Sequence, residues 1–115
     1  MTKGIHWQGV DPRGFPIQIK SSTWYAKILA SPGRAWLESH FDKVQRTVED
    51  PELILADKSV ENREAYVRLW PFSEYGQPLP LVVITEATSS NRDIVTVIPK
   101  RSLKQETGGV LYVRP

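Results

Sequence analysis

A chain of 115 residues with 40% apolar side chains, four tryptophans and no low-complexity tract can bury a real core, so it reads as one folded domain over residues 1–115. It has no cysteine, its two histidines stand far apart, and it has neither a leader-like start nor a run of eighteen apolar residues. This excludes a disulfide scaffold and a thiolate metal centre, and the expectation is a cytoplasmic protein with no metal, no cofactor and no membrane partner. The net charge of +2 is unevenly spread: Lys and Arg outnumber acids seven to three over residues 1–48 and five to two over 92–115, while acids lead eight to three over 49–91. Basic ends that met in space would suit a polyanion such as RNA; solvated charge on both faces is the plainer alternative.

Residues 1–14 lack periodicity and are expected to form an irregular arm. Phe15 to Lys20 alternates apolar and polar, a short strand that Pro16 assigns to an edge. Ser21 to Thr23 is a cap cluster opening a helical turn from Trp24 to Ala30. The strongest signal follows, SPGRAWLESHFDKVQRTVEDP from Ser31 to Pro51. Ser31 and Pro32 suit a helix start and Pro51 ends it, and at 100° per residue Leu37, Phe41, Val44 and Val48 fall within roughly 60° of one another.

After Pro51 the period becomes that of strands. Leu53 to Ala56 is a first strand. Glu64 to Trp70 puts Ala65, Val67 and Leu69 on one face and Tyr66, Arg68 and Trp70 on the other. Leu81 to Thr85 is nearly continuous in apolar residues and fits the most buried strand. Ile94 to Ile98 and Val110 to Val113 complete the set. The order predicts an α+β fold, with N-terminal helices packed on one face of a four- to five-stranded antiparallel sheet whose other face is partly open.

Several of these residues, taken together, resemble a known family. The string KIL, then HF and TVEDPELIL, then EAYVRLW, LPLVVIT and IVTVIP, is similar to the barnase–EndoU–colicin–RelE-like nuclease superfamily, in particular its phage-associated branch. The matches are Pro51 and Ile54 after the helix, Tyr66 and Arg68 on the next strand and Thr96 on the last core strand, over residues 24–99. Where the branch carries its histidines this chain has Lys27 and Ser31. The resemblance implies a helix before a four-stranded antiparallel sheet and a ribonuclease that works without its family histidine or has lost activity.

Metal-independent cleavage of RNA needs a base for the 2′-hydroxyl, an acid for the departing 5′-oxygen and a cation for charge on phosphorus. Arg68 is the candidate cation, and Tyr66 and Trp70 can stack on bases. Lys27, at the family's histidine position, and His40, in the main helix, are candidates for proton transfer, with Thr96 as a hydroxyl holding phosphate. Arg92, Lys100, Arg101 and Lys104 are candidates for tracking a nucleic-acid backbone. Each has a structural alternative: an ion pair for Arg68, sheet-covering aromatics, a helix–sheet boundary histidine, a strand-forming threonine, solvated lysines. Three readings stay open. One is an RNase-like toxin or phage-associated effector with RNA as substrate and a cognate inhibitor protein. Another is a catalytically silent module of the same architecture that binds nucleic acid or a protein. The third is an unrelated α+β domain that shares only the helix-then-sheet order.

Overall fold

The computed structural model describes residues 4–72, 76–100 and 108–115. Its strands are β1 (Ile5–Val10), β2 (Pro16–Lys20), β3 (Leu53–Ala56), β4 (Arg63–Phe72), β5 (Gln77–Ala87), β6 (Arg92–Pro99) and β7 (Val110–Val113). They form one seven-stranded sheet in the order β1-β2-β6-β5-β4-β3-β7. Every pairing is antiparallel except β2 with β6, which is parallel and limited to Ile17↔Arg92 and Gln18↔Asp93. The fold is therefore a mixed, mostly β structure with one helical element of consequence, and the expectation of helices on a four- to five-stranded antiparallel sheet is overturned.

Two local features account for the difference. Residues 5–10, expected as irregular arm, pair with β2, and the alternation that would have revealed β1 is broken by a bulge between Ile5 and Trp7 and by Gly9. The Trp7 ring lies over Gly9, where a Cβ would come within 2.3 Å of it. β2 is thereby an interior strand, not an edge, and Pro16 is tolerated because it is the strand's first residue. The Trp24–Ala30 segment is a single wide turn, Thr23–Ile28, closed by Leu29 N–H to Trp24 O at 2.9 Å.

The main helical segment starts later than its Ser-Pro signal suggests. Gly33 has a φ of 75°, a left-handed conformation that interrupts helix there, and Trp36 Nε1 donates to the Gly33 carbonyl. Ala35–His40 winds as a 3-10 helix and runs directly into α1, Phe41–Glu49. At its end Asp50 N–H donates to Arg46 O at 2.8 Å before Pro51 turns the chain into β3.

Cross-strand partners share a face, so the register sorts the sheet into two sides. Ile54, Tyr66, Val83 and Val97 align on the side that takes Leu37, Val44 and Val48 of the helix, together with Ile17, Ile19 and Trp24. Leu55, Ala65, Val67 and Val82 form a smaller cluster on the other side. β5 is the central strand of seven, as its apolar run requires. Trp24 is 1% exposed and packs edge-on to Phe41 at 4.7 Å. Trp24→Ala is expected to cost ~3–5 kcal/mol, read as a lower urea midpoint at unchanged slope.

No helix among the described residues is long and apolar enough to cross a membrane. Among them, no group of three or more His, Cys, Asp or Glu residues could hold a metal ion.

Candidate functional site

The parallel pairing of β2 with β6 stops at Asp93, so among the described residues the later half of β6 has no strand on its outer side. Beside that open edge lies a cleft of about 320 Å³, lined by Lys27, Ser31, Pro32 and Arg34 on one side and Thr96, Val97 and Ile98 on the other. The Thr23–Ile28 turn and the Pro32-Gly33 bend bring Lys27 and Arg34 to the same wall. Lys27 is exposed and Arg34 half-buried. They offer an ammonium with three N–H donors and a guanidinium fork. The Ser31 hydroxyl donates to Lys27 O at 2.6 Å, which ties the two arms of the bend together.

The floor is nearly closed to solvent, with Val97 2% exposed. Lys100 N–H donates to Pro80 O at 2.9 Å, and along an antiparallel pair alternate residues point toward and away from the partner strand. Val97 is three residues earlier in the same register, so its N–H and C=O point away from β5 toward the open edge. Among the described residues, no carboxylate lines this cleft.

Tyr66 and Arg68 are elsewhere. Their face of β4 is the covered one, not the open one that a shared site would need. Tyr66 is fully buried, and its hydroxyl donates to Asp11 Oδ2 at 2.6 Å and accepts from Arg13 Nη2 at 3.0 Å. Burial pushes the Tyr66 phenol well above its usual range, and the Asp11 carboxylate adds to this. Arg68 stacks 4.4 Å from the Trp70 ring centroid and donates to the Asp50 carbonyl and carboxylate at 3.1 and 3.2 Å. Trp70 Nε1 donates to Thr47 Oγ1 at 2.9 Å. These side chains fasten α1 to the sheet. Thr96 opposes Ile84, on the other side of the sheet from Tyr66. The five residues expected to form one catalytic centre are thus separated: Lys27 and Thr96 share the cleft, and Tyr66, Arg68 and His40 do not line it. Arg68→Ala is expected to lower stability by up to about 1 kcal/mol and to leave RNA retention unchanged in a filter assay.

His40 is packed edge-on against Trp36 and Phe72, with ring centroids 5.3 and 5.4 Å away. Arg92 is 2.9 Å from Glu64 Oε1 and stacks 4.2 Å from the Phe15 ring centroid. Lys100 is half-buried at the end of β6. Arg101 and Lys104 lie outside the described residues.

Two groups of functional or structural weight were not singled out from the sequence. Arg34 follows a Pro-Gly bend, and that bend was the available signal. Asp11 and Arg13 sit in an Asp-Pro-Arg-Gly turn, a pattern in which Asp bonds its own backbone: Asp11 Oδ1 accepts from Arg13 N–H at 2.9 Å and Phe15 N–H at 3.0 Å. Arg13 then reaches Glu64 at 2.6 Å.

Comparison with protein-family models, with curated proteins and with solved structures finds no match to this chain.

Proposed function

We propose that the protein is a small RNase-like domain that takes the phosphate backbone of RNA in the cleft between Lys27, Arg34 and Thr96. One observation carries the reading: two cations, Lys27 and Arg34, share with Ser31 and Thr96 a cleft that, among the described residues, no carboxylate lines. Cations and N–H donors without a competing anion suit a phosphodiester and its more highly charged transition state. Two of these residues, Lys27 and Thr96, are also positions to which the nuclease resemblance assigns chemistry.

In the reaction the 2′-oxygen bonds to phosphorus as the bond from phosphorus to the 5′-oxygen breaks. The products are a 2′,3′-cyclic phosphate and a free 5′-hydroxyl. The 2′-hydroxyl proton passes to solvent water, the Lys27 ammonium protonates the departing oxygen, and Arg34 balances charge on the phosphoryl oxygens. A second reading, binding without turnover, is favoured by the placement of His40 and Tyr66 in packing and hydrogen-bonding roles away from the cleft.

Labelled RNA incubated with the protein in EDTA tests both. Cleavage leaving cyclic phosphate ends, lost in Lys27→Ala and Arg34→Ala, supports the RNase. Salt-sensitive retention without cleavage supports the silent module, and neither outcome removes RNA as the ligand. Toxicity on induced expression, relieved by the same substitutions, is what a cytoplasmic effector role would add.

A further inference from the structure

β7 is one of the two outer strands of the sheet, and it is the less protected one. Its Val110, Leu111 and Val113 are 61%, 46% and 60% exposed, and Val110 to Val113 contains no charge and no proline. Charges and prolines are the usual devices that keep sheet edges from pairing. β1, at the opposite edge, ends at Val10, just before the buried Asp11 and Pro12, and its pairing with β2 is bulged.

The hydrogen bonds of β7 fix which backbone groups are available. Arg114 N–H donates to Glu52 O at 3.0 Å, in register with Leu53↔Val113 and Ile54↔Tyr112. Arg114 and Tyr112 therefore point toward β3, and the N–H and C=O of Val113 point outward. Arg114 is also held by its side chain, with Nε 3.1 Å from Asp50 Oδ1 and Nη2 2.6 Å from the Asp50 carbonyl.

We propose that β7 pairs antiparallel with β7 of a second copy of this chain, about a twofold axis perpendicular to the sheet. Such an axis keeps each residue on its own face, so opposed residues must be an even number apart, and the register centred on Tyr112 satisfies this. It places Tyr112 opposite Tyr112 of the second copy and Val113 opposite Leu111 of the second copy, so these cross-strand pairs are apolar or aromatic. A second copy is favoured over an unrelated extended peptide on two grounds. One pairing covers both exposed edges at once, and because β7 is uncharged, like meets like without repulsion. Residues 111–113 of each strand pair with one another, and Val110 faces Arg114 of the second copy. So short a pairing falls below the ~800 Å² per partner of standard complexes, and the dimer is weak, with a dissociation constant of roughly tens of micromolar or above.

Sedimentation velocity over a concentration series, with amide exchange on the same samples, tests this. The expected result is a weight-average mass that climbs from monomer toward dimer, with the Val113 amide exchanging more slowly as concentration rises. Leu111→Lys, at an exposed position, should stay monomeric with an unchanged far-UV spectrum. A wild-type protein monomeric to about 1 mM, a Val113 amide whose exchange ignores concentration, or a Leu111→Lys protein that dimerises like wild type would overturn the proposal. So would binding of an apolar extended peptide at β7 by a protein that never self-associates.

Discussion

Asp11→Ala should lower the unfolding free energy by ~3 kcal/mol, measured by urea denaturation at neutral pH. Asp11 is 4% exposed, yet it anchors four hydrogen-bonding groups: the Arg13 and Phe15 amides, the Arg13 guanidinium and the Tyr66 hydroxyl. Removing the carboxylate leaves the buried Tyr66 hydroxyl without the acceptor for its proton and deprives Arg13 of one of its two carboxylate partners, Glu64 being the other. For a domain whose total stability is roughly 5–15 kcal/mol this is a large share. The same network fixes the pH response. Burial pushes the Asp11 carboxyl up, but hydrogen bonds from Tyr66, the Phe15 amide and Arg13 outweigh it and hold the group below its usual range. A depressed carboxyl contributes stability that is present above its unfolded value near 4 and is lost as pH falls through the folded one. Tyr66 is shifted the other way, so its contribution is complete below pH ~10 and is lost as pH rises further. Tyr66→Phe should abolish the alkaline loss while keeping much of the acid one.

Arg34→Ala should reduce RNA cleavage by about 10²–10³-fold if the cleft performs the reaction, the usual cost of removing a preorganised donor to developing charge. Lys27→Ala should fall in the same range through loss of the proton to the 5′-oxygen, and Thr96→Val should cost less because a hydroxyl is a weaker, neutral donor. Arg68→Ala separates this account from one based on the β4 face, since its guanidinium is engaged with Asp50 and its effect on cleavage should be negligible. Rates measured under single-turnover conditions keep binding and chemistry apart.

How much of this was legible in the sequence depended on how local each signal is. The helix face of Leu37, Val44 and Val48, the alternation of β4 and the central position of β5 follow from periodicity within one segment, and all are realised. The strand at Ile5–Val10 was hidden because its bulge and Gly9 break the period that would reveal it. The size and mixed character of the sheet depend on a parallel contact of two residue pairs between β2 and β6, separated by more than seventy positions, which no local pattern encodes.

The charge blocks were visible, but their use was not. Basic ends and acidic middle meet as ion pairs: Arg13 and Arg92 share Glu64, and Arg114 reaches Asp50, so part of the charge that suggested a basic surface is paired with acids of the middle block. For the candidate site, the types of residue at Lys27 and Thr96 were readable, and their convergence with Arg34 was not. Tyr66 and Arg68 were misplaced because a strand pattern shows which residues share a face but not which face a helix will cover.

The cleft is the central claim, and its most direct test is the salt dependence of single-stranded RNA binding for wild type and the Lys27→Ala/Arg34→Ala double variant. Each phosphate contact contributes about 0.7 to the slope of log K against log salt on a single strand, so the double variant should bind more weakly with a slope reduced by about 1.4. Equal slopes and affinities for the two proteins, or wild-type binding that ignores salt, would contradict the assignment of this cleft to RNA.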